Sequence, residues 1–325
     1  MLNEDANYAK AGHEIYRKQL SLSHSILPKY SNEIEGNDLT VLEDEKTLTI
    51  KGKDIIVVFD KGQCVFQNVM HKGKEVFSGG EDNFYRPVTG IDEGTIHNRA
   101  NYAVEWKEGR LDKPEKTVNK VKYIVSEKQV FLFTEVSYNQ DMLSVSTQYR
   151  IGSEGIEIQK SVINNYNINT IPRIGMTLIM PGKQNKVAWY GRGPWENYSD
   201  RKESAFIGSY ESTVGEQYTS YIKPVECGGK EDVRHMKVTC EEDIGIQVMA
   251  SEPFHFDIHN YSIMSCDKAN YERDLEREDQ SYLNLDYKHA GLGGDNGWTK
   301  TIRSEYWVEK GYYQYQFNIN FINNF

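Results

Sequence analysis

Apolar and polar residues alternate along most of this chain. The clearest run is near the C-terminus, where Tyr313, Tyr315, Phe317, Ile319 and Phe321 alternate with Gln314, Gln316, Asn318 and Asn320. A period of two places one set on each face of a strand, so this segment predicts a half-buried antiparallel strand. Similar runs occur at residues 48–50, 56–59, 121–125 and 143–151, and Ile156, Ile158 and Val162 continue the series. Turn residues separate them: Lys61-Gly62, Gly79-Gly80, residues 152–155 and Pro181-Gly182. Helical periodicity is scarce; residues 267–279 predict a short, charged surface helix with Tyr271 and Leu275 turned inward. Many closely spaced strands and few helices predict an all-β fold, a large antiparallel sandwich or barrel. No internal repeat or low-complexity linker divides the chain. Residues 21–31 read as irregular polar chain, and a modest boundary falls near residues 20–35.

Composition narrows the function classes. The 325 residues are 38% hydrophobic, enough for one large core with a short annex. No apolar run approaches the roughly 18 residues that span a bilayer, and residues 1–10 lack the apolar segment of a signal peptide. The net charge is −10 and no basic stripe is present, which argues against nucleic acid and leaves the acidity as a solubility device. Four cysteines, Cys64, Cys227, Cys240 and Cys266, form no CxxC pair, so neither a zinc site nor a disulfide framework is expected. A reducing, cytoplasmic setting follows. The 22 tyrosines fit a β-rich core with wet edges or a carbohydrate-handling surface.

The search for catalytic groups finds no self-contained enzyme. Cleaving a glycosidic bond with retention needs two carboxyl groups about 5 Å apart. There are 48 acidic residues, but no βα repeat places any of them at the strand ends of a (β/α)₈ barrel. The GxSxG elbow, HExxH, the P-loop and a GxGxxG after a strand are absent. Two glycine-rich segments stand out instead. In residues 189–201, Gly191, Gly193 and Pro194 precede Glu196, Asn197, Tyr198, Asp200 and Arg201, which reads as a tight loop. It is either a structural turn with Asp200 and Arg201 paired locally or a surface offered to a neighbouring domain or ligand. In residues 291–298, Gly291, Gly293 and Gly294 lead through Asp295, Asn296 and Gly297 to Trp298. That indole is either a flat face for a sugar ring or a plug for the end of the sandwich. His97, His235, His255, His259 and His289 each fit a hydrogen-bonded structural role better than catalysis.

At these motifs the sequence resembles the C-terminal domain of the large bacterial β-galactosidases of glycoside hydrolase family 2. Residues 191–201 are similar to that family's G-x-G-P-x-E-N-Y-x-D-R segment. Residues 218–224, followed by Asp232-Val233-Arg234, are similar to its Y-x-x-Y-x-x-P…R segment, and Leu283-Asn284-Leu285-Asp286 with residues 291–298 to its L-N-I-D…G-x-G-G-D-D-S-W stretch. Pro172-Arg173-Ile174-Gly175 and residues 86–94 add weaker matches. The resemblance spans residues 30–325, and Ala11-Gly12-His13-Glu14-Ile15 is similar to the last strand of a preceding immunoglobulin-like domain, of which residues 1–20 would be a remnant. Departures are Gly90-Ile91-Asp92 for D-N-D, Glu226-Cys227-Gly228 for E-N-G, and Asp295-Asn296-Gly297-Trp298 for D-D-S-W.

The resemblance implies a galactose-mutarotase-like supersandwich. It implies that Trp298, with Asp295 and Asn296, meets the substrate, and that Asp92, Glu93 and Gly94 open a mobile active-site loop reaching Arg99. It makes Gly193, Pro194, Glu196, Asn197, Tyr198, Asp200 and Arg201 a structural motif. The catalytic glutamates, and the magnesium and sodium sites beside them, would lie in a barrel outside this chain, leaving no catalytic residue and no cofactor or metal here. The implied partners are a galactoside such as lactose and a β-galactosidase barrel domain or large subunit within an oligomer. The chain would be a natural small subunit or a fragment, inactive alone. An aldose 1-epimerase (mutarotase), using a His acid and a carboxylate base, and a free-standing carbohydrate-binding module are the alternatives.

Overall fold

The computed structural model describes residues 1–20, 39–94, 101–126, 128–182, 185–239, 244–296 and 299–323. Strands β1 (Thr40–Glu43), β2 (Thr47–Lys51), β3 (Ile55–Asp60), β4 (Val65–His71) and β5 (Lys74–Asn83) form a meander. After helices α1 (Gly90–Glu93) and α2 (Tyr102–Glu108), a second meander comprises β6 (Lys116–Val125), β7 (Val130–Tyr138), β8 (Leu143–Gly152) and β9 (Gly155–Asn164). Next come β10 (Arg173–Pro181), β11 (Lys186–Gly193), β12 (Phe206–Thr213), β13 (Lys230–Thr239) and β14 (Gly245–His259). Helix α3 (Ile263–Lys268), β15 (Gln280–His289) and β16 (Gly311–Ile322) complete the order.

The pairings between these strands are antiparallel. One path runs β1-β2-β3-β4-β5-β10-β15-β14-β16-β9-β8-β7-β6, and β13, β11 and β12 branch from β14. β14 makes the branch possible. One of its edges pairs with β13, while the other is handed from β16, at Gly245 to Ala250, to β15, at His255 to His259. The handover falls at Ser251-Glu252-Pro253, where proline lacks the N–H that a continuous ladder would need.

The two meanders lie face to face. Phe59 of β3 and Phe66 of β4 meet Tyr149 of β8 edge-on, with ring centres 5.6 and 5.3 Å apart. Lys160 of β9 forms a buried ion pair with Asp82 of β5, and the Tyr138 hydroxyl donates to the same carboxylate at 2.8 Å. One continuous core fills the space between the layers, from Leu48 and Phe59 to Phe317 and Ile319.

The all-β antiparallel reading of the sequence is what the structure shows. The alternating C-terminal run forms β16, with Tyr315, Phe317, Ile319 and Phe321 buried and Gln314 exposed. Two local expectations are corrected. Gly79-Gly80 is not a turn: both residues lie inside β5 at φ 85° and 82°, where the register against β10 slips. A Cβ on Gly79 would stand 3.0 Å from the Thr177 carbonyl oxygen, so the bulge requires glycine. The predicted helix at residues 267–279 is also displaced. α3 starts earlier because the Ser262 hydroxyl accepts from the Ser265 N–H, and it stops where Ala269 turns extended. A single 3₁₀ turn, Glu272–Asp274, follows; Leu275 is buried as expected, but Tyr271 is 53% exposed with the Arg273 guanidinium over its ring.

In the N-terminal segment, Ala11-Gly12-His13-Glu14-Ile15 is exposed chain outside any strand. Cys64, Cys227 and Cys266 are buried free thiols, and Cys240 lies outside the described residues. No helix among the described residues is long and apolar enough to cross a membrane.

The Lys160–Asp82 pair yields a stability test. Lys160→Met leaves a buried carboxylate without its counter-charge and should cost on the order of 3 kcal/mol in urea unfolding. Adding Asp82→Asn should recover part of that loss; a strictly additive double mutant would refute the coupling.

Candidate functional site

The two glycine-rich segments, far apart in sequence, are fastened together by one carboxylate. Asp200 accepts from the backbone N–H of Leu292 at 3.0 Å and of Gly293 at 2.7 Å. Glycine at 291 leaves room for this contact, since a Cβ there would lie 2.4 Å from Asp200 Oδ2. Gly293 adopts φ 71°, and a Cβ on it would crowd the Thr301 hydroxyl at 2.6 Å and the Ile91 side chain at 3.1 Å. Residues 86–94 close the arrangement. Arg86 donates to the carbonyls of Ala290 and Gly291 and to Asp92 Oδ1 at 2.8 Å, both partners of that ion pair being fully buried. Asp92 also completes a capping box with Thr89 at the start of α1.

The predicted site residues fall around this junction as follows. Trp298 and Gly297 lie outside the described residues, as does His97. Asp295 is exposed and accepts from Arg303, while the Asn296 side chain accepts from the Thr299 N–H and hydroxyl at 3.0 Å. Glu93 reaches Lys223 at 2.6 Å, and Gly94 ends α1 at φ 65°. Arg99 is outside the described residues. Gly193-Pro194 is a cis peptide. The local pairing expected of Asp200 and Arg201 does not form, because Asp200 is taken by the glycine loop and Arg201 reaches Glu196 at 2.8 Å. Glu196 also binds the Tyr221 hydroxyl and the Gly228 N–H. Asn197 bridges to residues 229 and 231, and Tyr198 is fully buried with its hydroxyl directed at Glu226.

Beneath the junction lies a buried polar cluster. Arg173 of β10 reaches Asp257 at 2.9 Å, Glu226 at 3.3 Å and Asp286 at 3.4 Å. Gly175 makes room for Asp286, whose Oδ1 would stand 2.1 Å from a Cβ there. The rings of His255 and His289 stack 4.4 Å apart, with Tyr198 tilted against both. His255 Nδ1 meets Glu231 at 3.0 Å, His289 Nδ1 the Ala290 carbonyl at 2.8 Å, and His259 Nε2 the Cys227 carbonyl at 2.9 Å. Burial pushes the Asp286 carboxyl up to about 7 against the pull of Arg173, and pushes His289 well below its ordinary range. A cleft of about 480 Å³ opens beside the pair, with His255, His289, Glu231, Tyr287 and Trp307 in its wall.

Residues 51–319 match the family described as beta galactosidase small chain. The chain belongs to that family. A protein named beta-galactosidase from Vibrio cholerae is 31% identical over 330 residues, covering 98% of this chain and 31% of that one. One of the same name from Priestia megaterium is 30% identical over 309 residues, covering 94% and 29%. This chain therefore spans under a third of the length of these curated relatives. Among solved structures, a galactose mutarotase-like protein from Clostridium acetobutylicum aligns over 88% of this chain and 99% of its own, at 10% identity and a TM-score of 0.48.

The histidines taken singly do not reveal the cluster. His255, Asp257 and His259 sit at alternate positions of β14, so the same period of two that reveals the strands puts them on one face. The partners Arg173, Glu226 and Asp286 arrive from distant segments, and only the sheet order brings them there.

Two expectations follow. Asp200→Ala removes two charge-assisted hydrogen bonds and should cost on the order of 2 kcal/mol in urea unfolding, with faster proteolysis at residues 291–296. Unchanged proteolysis would show that the loop does not depend on this clamp. Buried Lys230 is the second case; desolvation lowers its pKa to about 8. The unfolded chain then binds more protons between that value and the ordinary 10.5, so stability should rise with pH across this window. The contribution is on the order of 3 kcal/mol, and Lys230→Met should flatten the slope in denaturant titrations at pH 7 to 10.

Proposed function

We propose that this chain is the non-cutting portion of a β-galactosidase, one wall of a pocket that receives terminal β-D-galactosides such as lactose. The observation that carries the reading is the match of proteins named beta-galactosidase along nearly all of this chain, which accounts for only 31% and 29% of their length. The remaining two-thirds is assigned the bond-cleaving carboxylate pair, with the magnesium and sodium sites beside it. This chain supplies a shape and a stacking face, and by itself is inactive. Trp298 is assigned the face for the sugar on the leaving-group side. The surrounding geometry suits such a presentation: Asp295 is tied to Arg303, Asn296 closes a turn onto Thr299, and Asp200 fixes the base of the loop. Glu93 and Gly94 are assigned to the segment that closes over the sugar, with the buried Arg86–Asp92 pair as its anchor. The partner is a barrel domain or large subunit in a cytoplasmic oligomer.

An epimerase reading is less well supported. It needs a histidine that can exchange protons with a sugar, yet the free nitrogens of His255 and His289 are shut off from solvent.

Expressing this chain and the missing portion separately and together is the test. Galactoside hydrolysis should appear only in the mixture; hydrolysis by this chain alone, or anomer equilibration seen by polarimetry, would overturn the assignment. In the active mixture, Trp298→Ala should weaken transition-state binding by about 0.5–1.5 kcal/mol, a several-fold loss in kcat/KM, without unfolding the chain.

A further inference from the structure

Trp195 is 53% exposed and Ile222 is 95% exposed, yet both come from segments fastened by hydrogen bonds. Glu196, next to Trp195, accepts from the hydroxyl of Tyr221, next to Ile222. The two apolar side chains therefore flank one hydrogen bond and share one stretch of surface. That stretch continues through Ser220, whose hydroxyl donates to Glu272 at 2.8 Å, toward the exposed ring of Tyr271 with the Arg273 guanidinium over it. Arg277 lies over the Tyr218 ring at 4.9 Å. The charges at the border are paired locally, Arg201 with Glu196, Lys223 with Glu93 and Arg277 with Glu272. An apolar and aromatic middle within a charged, hydrogen-bonded rim is the make-up of a protein–protein contact, and tryptophan, tyrosine and arginine are the side chains that dominate its energy.

The loop that carries Ile222 is braced from beneath. Pro224 is buried, the Val225 carbonyl accepts from the Cys266 thiol, and the Cys227 carbonyl meets His259 Nε2 at 2.9 Å. The Gly228 N–H donates to Glu196 at 2.9 Å, and Gly228 itself holds φ 78°, where a Cβ would stand 2.5 Å from the Gln217 carbonyl oxygen. One end of the loop is thus locked into the buried cluster while its tip holds an isoleucine in water, where its apolar surface stabilises nothing. A side chain carried on so firm a base gives up little backbone freedom when another surface covers it.

The occupant follows from the reading of this chain as one wall of a divided pocket, on which this inference rests. The other two-thirds of the relatives' length must meet this wall where the Trp298 loop and the Glu93–Gly94 segment stand. Glu196 belongs to the segment that Asp200 clamps to the glycine loop, and Lys223 is bonded to Glu93, so the exposed stretch borders both. We propose that Trp195 and Ile222, with Tyr271 at the margin, are the anchors by which this chain docks onto the portion that carries the cutting groups. That portion offers them an apolar recess beside its own half of the pocket. Docking this close to the wall makes assembly and completion of the pocket one event.

The test uses the full chain and the missing portion, expressed separately, with their affinity read by sedimentation. Ile222→Asp and Trp195→Ser should each weaken assembly roughly 30-fold or more. Leu42→Ser, at an exposed position of β1, should leave it unchanged. Ile222→Asp should keep the wild-type urea midpoint, because that side chain already lies in water; should Trp195→Ser fold poorly, Ile222→Asp carries the affinity comparison. A photo-cross-linking residue at position 222 should capture the missing portion. At saturating concentrations of that portion, hydrolysis per complex should return to the wild-type kcat; a rate that stays depressed would move these residues into the pocket and overturn the docking role. Cross-links only to a second copy of this chain would overturn it as well. An active mixture whose assembly ignores both substitutions removes the docking surface and leaves the galactosidase reading standing. Assembly that the substitutions weaken, in a mixture that hydrolyses no galactoside, does the reverse.

Discussion

A strand has two hydrogen-bonding edges, and β14 must serve three neighbours. It does so by giving one edge to β13 and dividing the other between β16 and β15, with Pro253 at the division. The layered arrangement depends on this handover. Before it, β14 continues toward β16 and the β6–β9 meander; after it, toward β15, β10 and the β1–β5 meander. The same division explains the burial of a polar cluster. Beyond Pro253 the strand pairs with β15 from His255 to His259 and with β13 at Phe254 and Phe256, so His255, Asp257 and His259 lie in the buried body of the sheet. Polar side chains placed there need partners, and Arg173, Asn284, Glu231 and the Cys227 carbonyl supply them.

Much of the fold was legible because antiparallel strands with one wet face write their period directly into the sequence. β2, β3, β8, β9 and β16 contain the expected alternating runs. The errors arose where local chemistry has two structural uses. Gly79-Gly80 carries the positive φ of a turn, yet the same conformation serves a bulge when a partner strand runs alongside. Tyr271 was expected to face inward as an apolar body, but it lies on the surface under a guanidinium.

The candidate site was legible in its parts and not in its assembly. The motifs at residues 191–201 and 291–298 were evident from their glycines, and the resemblance supplied their grouping. That Asp200 would join the two, instead of pairing with its neighbour Arg201, depends on a register set by β11, β15 and the loops between them. Arg86 illustrates the same point: its partners are six residues away at Asp92 and roughly two hundred residues away at the carbonyls of Ala290 and Gly291. A side chain that reads main-chain carbonyls leaves no pattern in residue types.

One contact near the start of the chain bears on how the sheet ends. Among the described strands, β12 pairs with β11 alone. On β12, Gln19 Nε2 donates to the Ile207 carbonyl at 2.9 Å while its Oε1 accepts from the Ile207 N–H at 2.7 Å, and Arg17 lies over the Phe206 ring. A primary amide thus imitates a peptide group and occupies the donor and acceptor of one residue of this strand. The N-terminal segment thereby takes up backbone groups through which a further strand could have added at Ile207.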